Sequence, residues 1–216
     1  MSGEWLRADW PAPDNIIAGT TLRTGDIAAV GLPGKPCWLN QLHGTCVVEA
    51  GNFDVPPGAD AAIGSKPGDV CVVKTADCLP VLLCSSDGSE VGIAHAGWRG
   101  LAAGIIENTV AEMTHDPDGL LAWLGPAISQ PSFEVGDEVR EAFLEHDRAA
   151  AACFVSNIRE RWQADLYALA RLRLRAAGVT QVYGGGLCTY SDARRFFSYR
   201  RDGATGRMVS FVARLS

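Results

Sequence analysis

The chain has 216 residues, of which 47% are hydrophobic and 20% charged. A composition of this kind suits one packed domain that buries roughly 70% of the surface its unfolded chain exposes, and it excludes disordered, collagen-like and coiled-coil classes. Nineteen basic residues against 25 acidic ones leave a net charge of -6, which gives no basic footprint for a nucleic-acid backbone and argues against that class of partner.

In chain order, the first residues (Met1, Ser2, Gly3, Glu4) carry no basic segment followed by an apolar run. The longest apolar stretches, such as 101–106 and 149–155, are too short to span a bilayer. The expectation is a cytoplasmic protein with no membrane partner. Short β-rich runs predict strands at 16–18, 37–39, 46–48, 70–73, 81–83, 91–93, 122–124, 182–183 and 209–212. Helical spacing predicts helices over 101–113, with Leu101, Ile105, Ile106, Val110 and Met113 on one side, over 135–143, and over 165–177, where Gly178 ends the pattern. Strands and helices alternate without a repeat, a low-complexity tract or a long linker. The expectation is therefore a single α+β domain over 1–216, with a strand order that pattern alone does not give.

Seven cysteines, at 37, 46, 71, 78, 84, 153 and 188, form no Cys-x-x-Cys pair, so they are expected to be reduced thiols. Most sit in apolar runs such as Val70-Cys71-Val72-Val73, where a cysteine is a small core residue. Cys78 differs, because it lies in Lys74-Thr75-Ala76-Asp77-Cys78-Leu79-Pro80, upstream of His95-Ala96-Gly97-Trp98-Arg99-Gly100. Between them Ser85-Ser86-Asp87-Gly88 signals a hairpin turn. With the turn centred between Ser86 and Asp87, Cys78 and His95 face each other across the open end, about 5 Å apart at Cβ.

His43, in Asn40-Gln41-Leu42-His43-Gly44, is a third partner, while His115 and His146 stand in acidic contexts that predict solvated rings. Two imidazoles and a thiolate form an N/S set suited to Zn²⁺, with a fourth position open for water or substrate. Spacing alone leaves a second reading open, in which the two histidines are buried polar residues and Cys78 is a core thiol.

Gln41-Leu42-His43-Gly44, Thr75-Ala76-Asp77-Cys78-Leu79-Pro80 and His95-Ala96-Gly97-Trp98-Arg99-Gly100 resemble the family labelled laccase-domain or polyphenol oxidase proteins. So do Gly125-Pro126-Ala127-Ile128, Phe133-Glu134-Val135-Gly136 and Phe196-Phe197-Ser198-Tyr199-Arg200-Arg201-Asp202, so that the resemblance covers nearly the whole chain. It implies a metal site at His43, Cys78 and His95. It also implies a layered sandwich of mixed β-sheets flanked by helices, a fold shared with a toxin deamidase domain.

The family resemblance further implies phosphorolysis of adenosine, inosine, guanosine and methylthioadenosine, with deamination of adenosine in the same pocket. The multicopper label fits poorly, because four histidines are too few for a laccase's copper centres, although copper loading in vitro is expected from the Irving–Williams order. For deamination, zinc activates a water and Asp77 is the candidate proton shuttle, or else an anchoring acceptor beside a ligand. For phosphate, Arg99 at the start of the helix near Leu101 is one candidate. Arg23, in a Thr-x-Arg-x-Gly match, is another, and Gln41 and Arg200 complete the binding set; as strand neighbours, only one of Arg200 and Arg201 is expected to face the site. The chain departs from the family layout after Asp26, where 27–36 is a much shorter bridge, which puts one pocket wall and the placing of Arg23 in doubt. A different chemistry makes Cys78 a nucleophile and His95 its base, in a cysteine hydrolase acting on an amide such as a peptidoglycan precursor. A second imidazole at position 43 is superfluous to such a dyad.

Overall fold

The computed structural model describes residues 4–215; Met1, Ser2 and Gly3, read above for a targeting segment, lie outside them. Among the described residues no helix is long and apolar enough to cross a membrane. The strands are β1 (Trp5–Arg7), β2 (Ile16–Thr21), β3 (Pro36–Cys37), β4 (Val47–Glu49), β5 (Ala61–Gly64), β6 (Val70–Thr75), β7 (Leu79–Ser85) and β8 (Val91–Ala96). Then come β9 (Leu120–Leu124), β10 (Glu134–Val135), β11 (Phe154–Ser156), β12 (Trp162–Ala164), β13 (Gln181–Gly184) and β14 (Met208–Arg214). The helices are α1 (Trp98–Ala103), α2 (Ile105–Glu112), α3 (Asp137–Leu144), α4 (Leu166–Ala176) and the short α5 (Tyr199–Asp202).

These elements form three layers. A six-stranded sheet in the order β13-β9-β7-β8-β5-β4 is the middle one. Every residue of β7, β8 and β9 is buried, because each strand is covered on both faces, and this explains why they read as unbroken apolar runs rather than as alternation. One face, with Val81, Leu83, Ala94 and Leu124, packs against Leu101, Ile105 and Ile106 of the first two helices and Leu169 and Leu174 of α4. The other, with Leu82, Cys84, Ile93 and Trp123, meets Ala18, Cys71, Val73 and Val212 of a five-stranded sheet ordered β1-β2-β14-β6-β3. A small sheet, β10-β12-β11, extends the helical layer. The architecture is a mixed α+β fold, and all nine predicted strands fall on observed ones.

The helices are cut differently from the periodicity. The pattern at 101–113 is two helices, starting at Trp98 and broken at Gly104, whose φ of 102° no β-carbon tolerates well. Val135 belongs to β10, so the next helix starts only at Asp137. Asp165 caps α4 by accepting from the Ala168 N–H, and Gly178 leaves it at φ 91°. β1, β10, β11 and β12 are too short to register by pattern, and β5, Ala-Ala-Ile-Gly, holds only one β-branched residue to mark it as a strand.

The hairpin register also differs. Pro80, not Cys78, lies opposite His95. The turn holds four residues: the Gly88 N–H donates to the Ser85 carbonyl, Gly88 sits at φ 72°, and the Ser85 N–H donates to the Glu90 carbonyl. An offset of two residues keeps Cys78 and His95 on one face, as diagonal neighbours, because side chains alternate with period two.

Candidate metal centre and cavity

Four consecutive strands of the six-stranded sheet deliver one residue each at the same end. His43 precedes β4, Asp60 precedes β5, Cys78 precedes β7 and His95 is the penultimate residue of β8. The ligand atoms of His43, Cys78 and His95 all lie within 4.8 Å of one another, and this is the one such group among the described residues. The two imidazoles meet edge to face with centroids 4.8 Å apart. Tetrahedral N and S ligands around zinc stand about 3.4–3.7 Å apart, so shifts of about 1 Å would accommodate an ion. Gly97, where β8 turns into α1, passes directly over the cluster. A β-carbon there would come 3.0 Å from Cys78 Sγ and 3.1 Å from His43 Cδ2, so any side chain would press the sulfur and the ring out of place by a few tenths of an ångström.

Asp60, which the sequence reading missed, is 1% exposed. Its carboxylate accepts from the N–H groups of Leu42, His43 and Gly44 at 3.0, 2.9 and 2.7 Å and stands 2.8 Å from His95 Nδ1. That contact leaves Nε2 as the nitrogen that faces the cluster. Burial works to raise the Asp60 carboxyl, but the His95 hydrogen bond and the Gly44 and Leu42 N–H groups outweigh it and hold the group below its usual range. Burial likewise opposes charge on Cys78 and His95. Hydrogen bonds from His43 and His95 nevertheless bring the thiol down to about 6, and those to Asp60 and Cys78 bring His95 up to about 9. Without an ion these hydrogen bonds favour a thiolate beside an imidazolium at pH values between the two.

The cluster opens onto a cavity of about 630 Å³, within the range of small-ligand sites. Its floor is the common end of both large sheets: Lys74 and Thr75 close β6 and Arg207 precedes β14. Leu39, Ile128, Phe133 and Leu166 supply apolar wall, with Trp98, Arg99, Tyr199 and Arg200 around the rest. Lys74 opens the Cys78 stretch but was given no role, and Arg207, like Asp60, carried no motif; a lone acid entering the apolar run Ala59 to Ala62 was the available signal for Asp60.

The structure places the other predicted residues as follows. Asp77, at φ 91° and buried, lines the cavity, but its carboxylate accepts from Thr189 Oγ1 at 2.6 Å, Ser198 Oγ at 3.1 Å and the Arg200 N–H at 2.7 Å. Gln41 lines it too, with its amide spent on the N–H and carbonyl of Lys74. Arg99 is exposed and stacks over Trp98 at 4.4 Å, while Trp98 also packs against the core. Arg200 lines the cavity and donates to the Glu134 carbonyl. Its neighbour Arg201 instead binds Asp202 and the carbonyls of Thr189, Tyr190 and Phe196. The two separate because 199–202 is a helical turn and not the strand that the sequence suggested.

Arg23 is not among the lining residues. It pairs with Asp202 at 3.7 Å and lies over the Phe197 ring, and the short bridge after it coils as a 3-10 turn at Ile27–Val30. His146 is exposed as expected, whereas His115 is half-buried and stands 3.8 Å from Asp87. All seven thiols are free.

A family model described as multi-copper polyphenol oxidoreductase laccase matches residues 21–215. An Escherichia coli protein named purine nucleoside phosphorylase YfiH is 53% identical, over 94% of this chain and 96% of its own length. A Pseudomonas aeruginosa protein with the same enzyme name is 45% identical, over 96% of this chain and 97% of its own length. The crystal structure of a Neisseria meningitidis protein of the DUF152 family is similar at a TM-score of 0.94 and 43% identity, covering 99% of this chain and 100% of that one.

Proposed function

The chain belongs to the multi-copper polyphenol oxidoreductase laccase family, and from that membership and the geometry we propose a zinc-dependent purine nucleoside phosphorylase that also deaminates adenosine. The observation that carries the reading is the convergence of His43, Cys78 and His95 on the wall of a cavity bordered by Lys74, Arg99, Arg200 and Arg207. Relatives named purine nucleoside phosphorylase support the substrate class. A multicopper centre has no support in the residues, because the two remaining histidines, His115 and His146, stand outside the cluster.

His43, Cys78 and His95 would hold the ion, and Gly97 makes room for it. When bound, zinc supplies a Lewis acid that activates water or polarises a substrate oxygen. The apolar wall of Leu39, Ile128, Phe133 and Leu166 holds the nucleoside and excludes water around it. Arg99 and Arg200 bind the phosphate that displaces the base, with Lys74 and Arg207 adding positive charge on the sheet side. We assign Asp77 to anchoring that wall in place of proton transfer, since both of its oxygens are occupied, and Gln41 to holding the His43 loop. Arg23, engaged with Asp202, has no part in this scheme.

The test is incubation of metal-quantified protein with adenosine, with and without phosphate, followed by separation of the products. Adenine and ribose 1-phosphate are expected only with phosphate, and inosine in its absence. Failure of both reactions would favour a second reading, a cysteine hydrolase. The observation behind that reading is the Cys78 sulfur within 4.8 Å of the ring nitrogens of both histidines, whose hydrogen bonds lower the thiol against the effect of its burial. The His43 ring at the same sulfur favours the metal.

A further inference from the structure

We infer that Asp60 sets both histidine ligands in place before any ion is present, so that the metal site belongs to the folded chain and is not gathered by the metal. The segment that carries His43 is clasped at its two ends. The Asn40 N–H donates to the Pro57 carbonyl at 2.9 Å, and the Asp60 N–H donates to the Cys46 carbonyl at 3.0 Å. Between those points the chain bulges around the Asp60 carboxylate, and three successive N–H groups, of Leu42, His43 and Gly44, point at its two oxygens. This wrapping holds His43 at φ 59°, a left-handed conformation that is uncommon for a residue with a β-carbon.

The same carboxylate meets the other ligand. His95 Nδ1 stands 2.8 Å from Asp60 Oδ1, and the His95 N–H donates to the Asp60 carbonyl at 2.7 Å, so the ring is fixed through both side chain and backbone. Four hydrogen bonds satisfy the buried charge, three from the loop of one ligand and one from the ring of the other. Asp60 touches neither the cavity nor Cys78 in this arrangement and is a positioning residue. A site gathered by its ion would lack such a support, since its ligand loops order only on binding.

The inference rests on reading His43, Cys78 and His95 as a metal site, but its first test needs no metal and can fail separately from that reading. In metal-free full-length protein, hydrogen exchange at Leu42, His43 and Gly44 is expected to be slowed about 100-fold or more, with little further change when zinc is added. Exchange at the unstructured rate until zinc arrives would overturn the proposal. In Asp60→Asn the protection is expected to vanish, and zinc affinity, measured by chelator competition, to fall about 10–100-fold. Because the carboxylate acts on His43 independently of His95, Asp60→Asn placed on His95→Ala is expected to weaken the residual zinc binding again; no further loss there would sink the two-sided role. If the Asn variant does not fold by circular dichroism, the wild-type exchange pattern decides.

Discussion

At the end of the six-stranded sheet, Asp60 and His95 are buried, paired with each other and tied into the backbone, and a glycine clears the space above the sulfur. Across the same cavity Lys74, Arg99, Arg200 and Arg207 are exposed and rest on aromatic rings or backbone carbonyls. The first wall is suited to chemistry that tolerates little displacement, because its groups have no alternative partners. The second is suited to gripping a mobile anion, because a guanidinium can leave a carbonyl for a phosphate at small cost.

If the walls divide the work in this way, their variants must fail differently. Cys78→Ala should show the largest effect: metal uptake and turnover vanish together, read by metal quantification and product analysis on one sample. Stoichiometric zinc in that variant would abolish the distinction. Asp77→Ala comes next and acts on the opposite wall. It leaves the hydroxyls of Thr189 and Ser198 and the Arg200 N–H without their acceptor, for an expected loss of about 3 kcal/mol in denaturant unfolding. Zinc should still bind, since Asp77 holds no ligand. Gly97→Ala should cost about 1–3 kcal/mol of zinc binding by intruding on Cys78 Sγ and the His43 ring, with phosphate affinity little changed.

The ligand wall also predicts a dependence on pH. His95, raised to about 9, carries a proton that zinc must displace, and Cys78, lowered to about 6, carries none above that value. Zinc should therefore bind more tightly as pH rises toward about 9, with the His95 proton released per ion at pH 7.5. Without metal the same two groups link stability to pH. The raised His95 contributes fully below its unfolded value and loses its contribution as pH rises through about 9; the lowered Cys78 contributes above its unfolded value and loses its contribution as pH falls through about 6. Because the two trends run in opposite directions over the same window, the pair should leave the stability of the metal-free protein nearly level between about 6 and about 9. Calorimetry in buffers of different ionisation enthalpy reads the proton count, and a count of zero at pH 7.5 would contradict the thiolate–imidazolium pair.

The ligand wall was the more legible of the two in sequence. His43, Cys78 and His95 stand in short motifs, and even with the hairpin turn misplaced, the period of two in a strand kept Cys78 and His95 on one face. Asp60 was not legible, because what makes it matter is a fold that brings residues 17 positions upstream and 35 downstream onto one carboxylate. The cation wall resisted for another reason. Arg23 and Arg201 look no different in sequence from Arg99 and Arg200, and only the helical turn at Tyr199–Asp202 and the neighbouring Asp202 decide which cations face the cavity. Strands buried on both faces were read well because burial leaves a continuous apolar signature; most of the two- and three-residue strands leave none.

The smallest expected effects belong to the individual cations, and they test the proposed phosphate role most directly. Arg99 has Trp98 beneath it and Arg200 has Phe133 at 5.4 Å, so neither side chain is needed to hold the backbone of its own element. Arg99→Ala or Arg200→Ala alone should raise the KM for phosphate about 10-fold, worth about 1.4 kcal/mol, with zinc content and metal-site pH dependence unchanged. Arg23→Ala should leave that KM alone, since its guanidinium serves Asp202. Because Arg99 and Arg200 reach the cavity from different elements, the double variant should lose roughly the product of the two factors if each binds the anion independently. A double variant no worse than either single one would mean that one arginine grips the phosphate and the other only orients it. Phosphate saturation curves at fixed adenosine distinguish these outcomes.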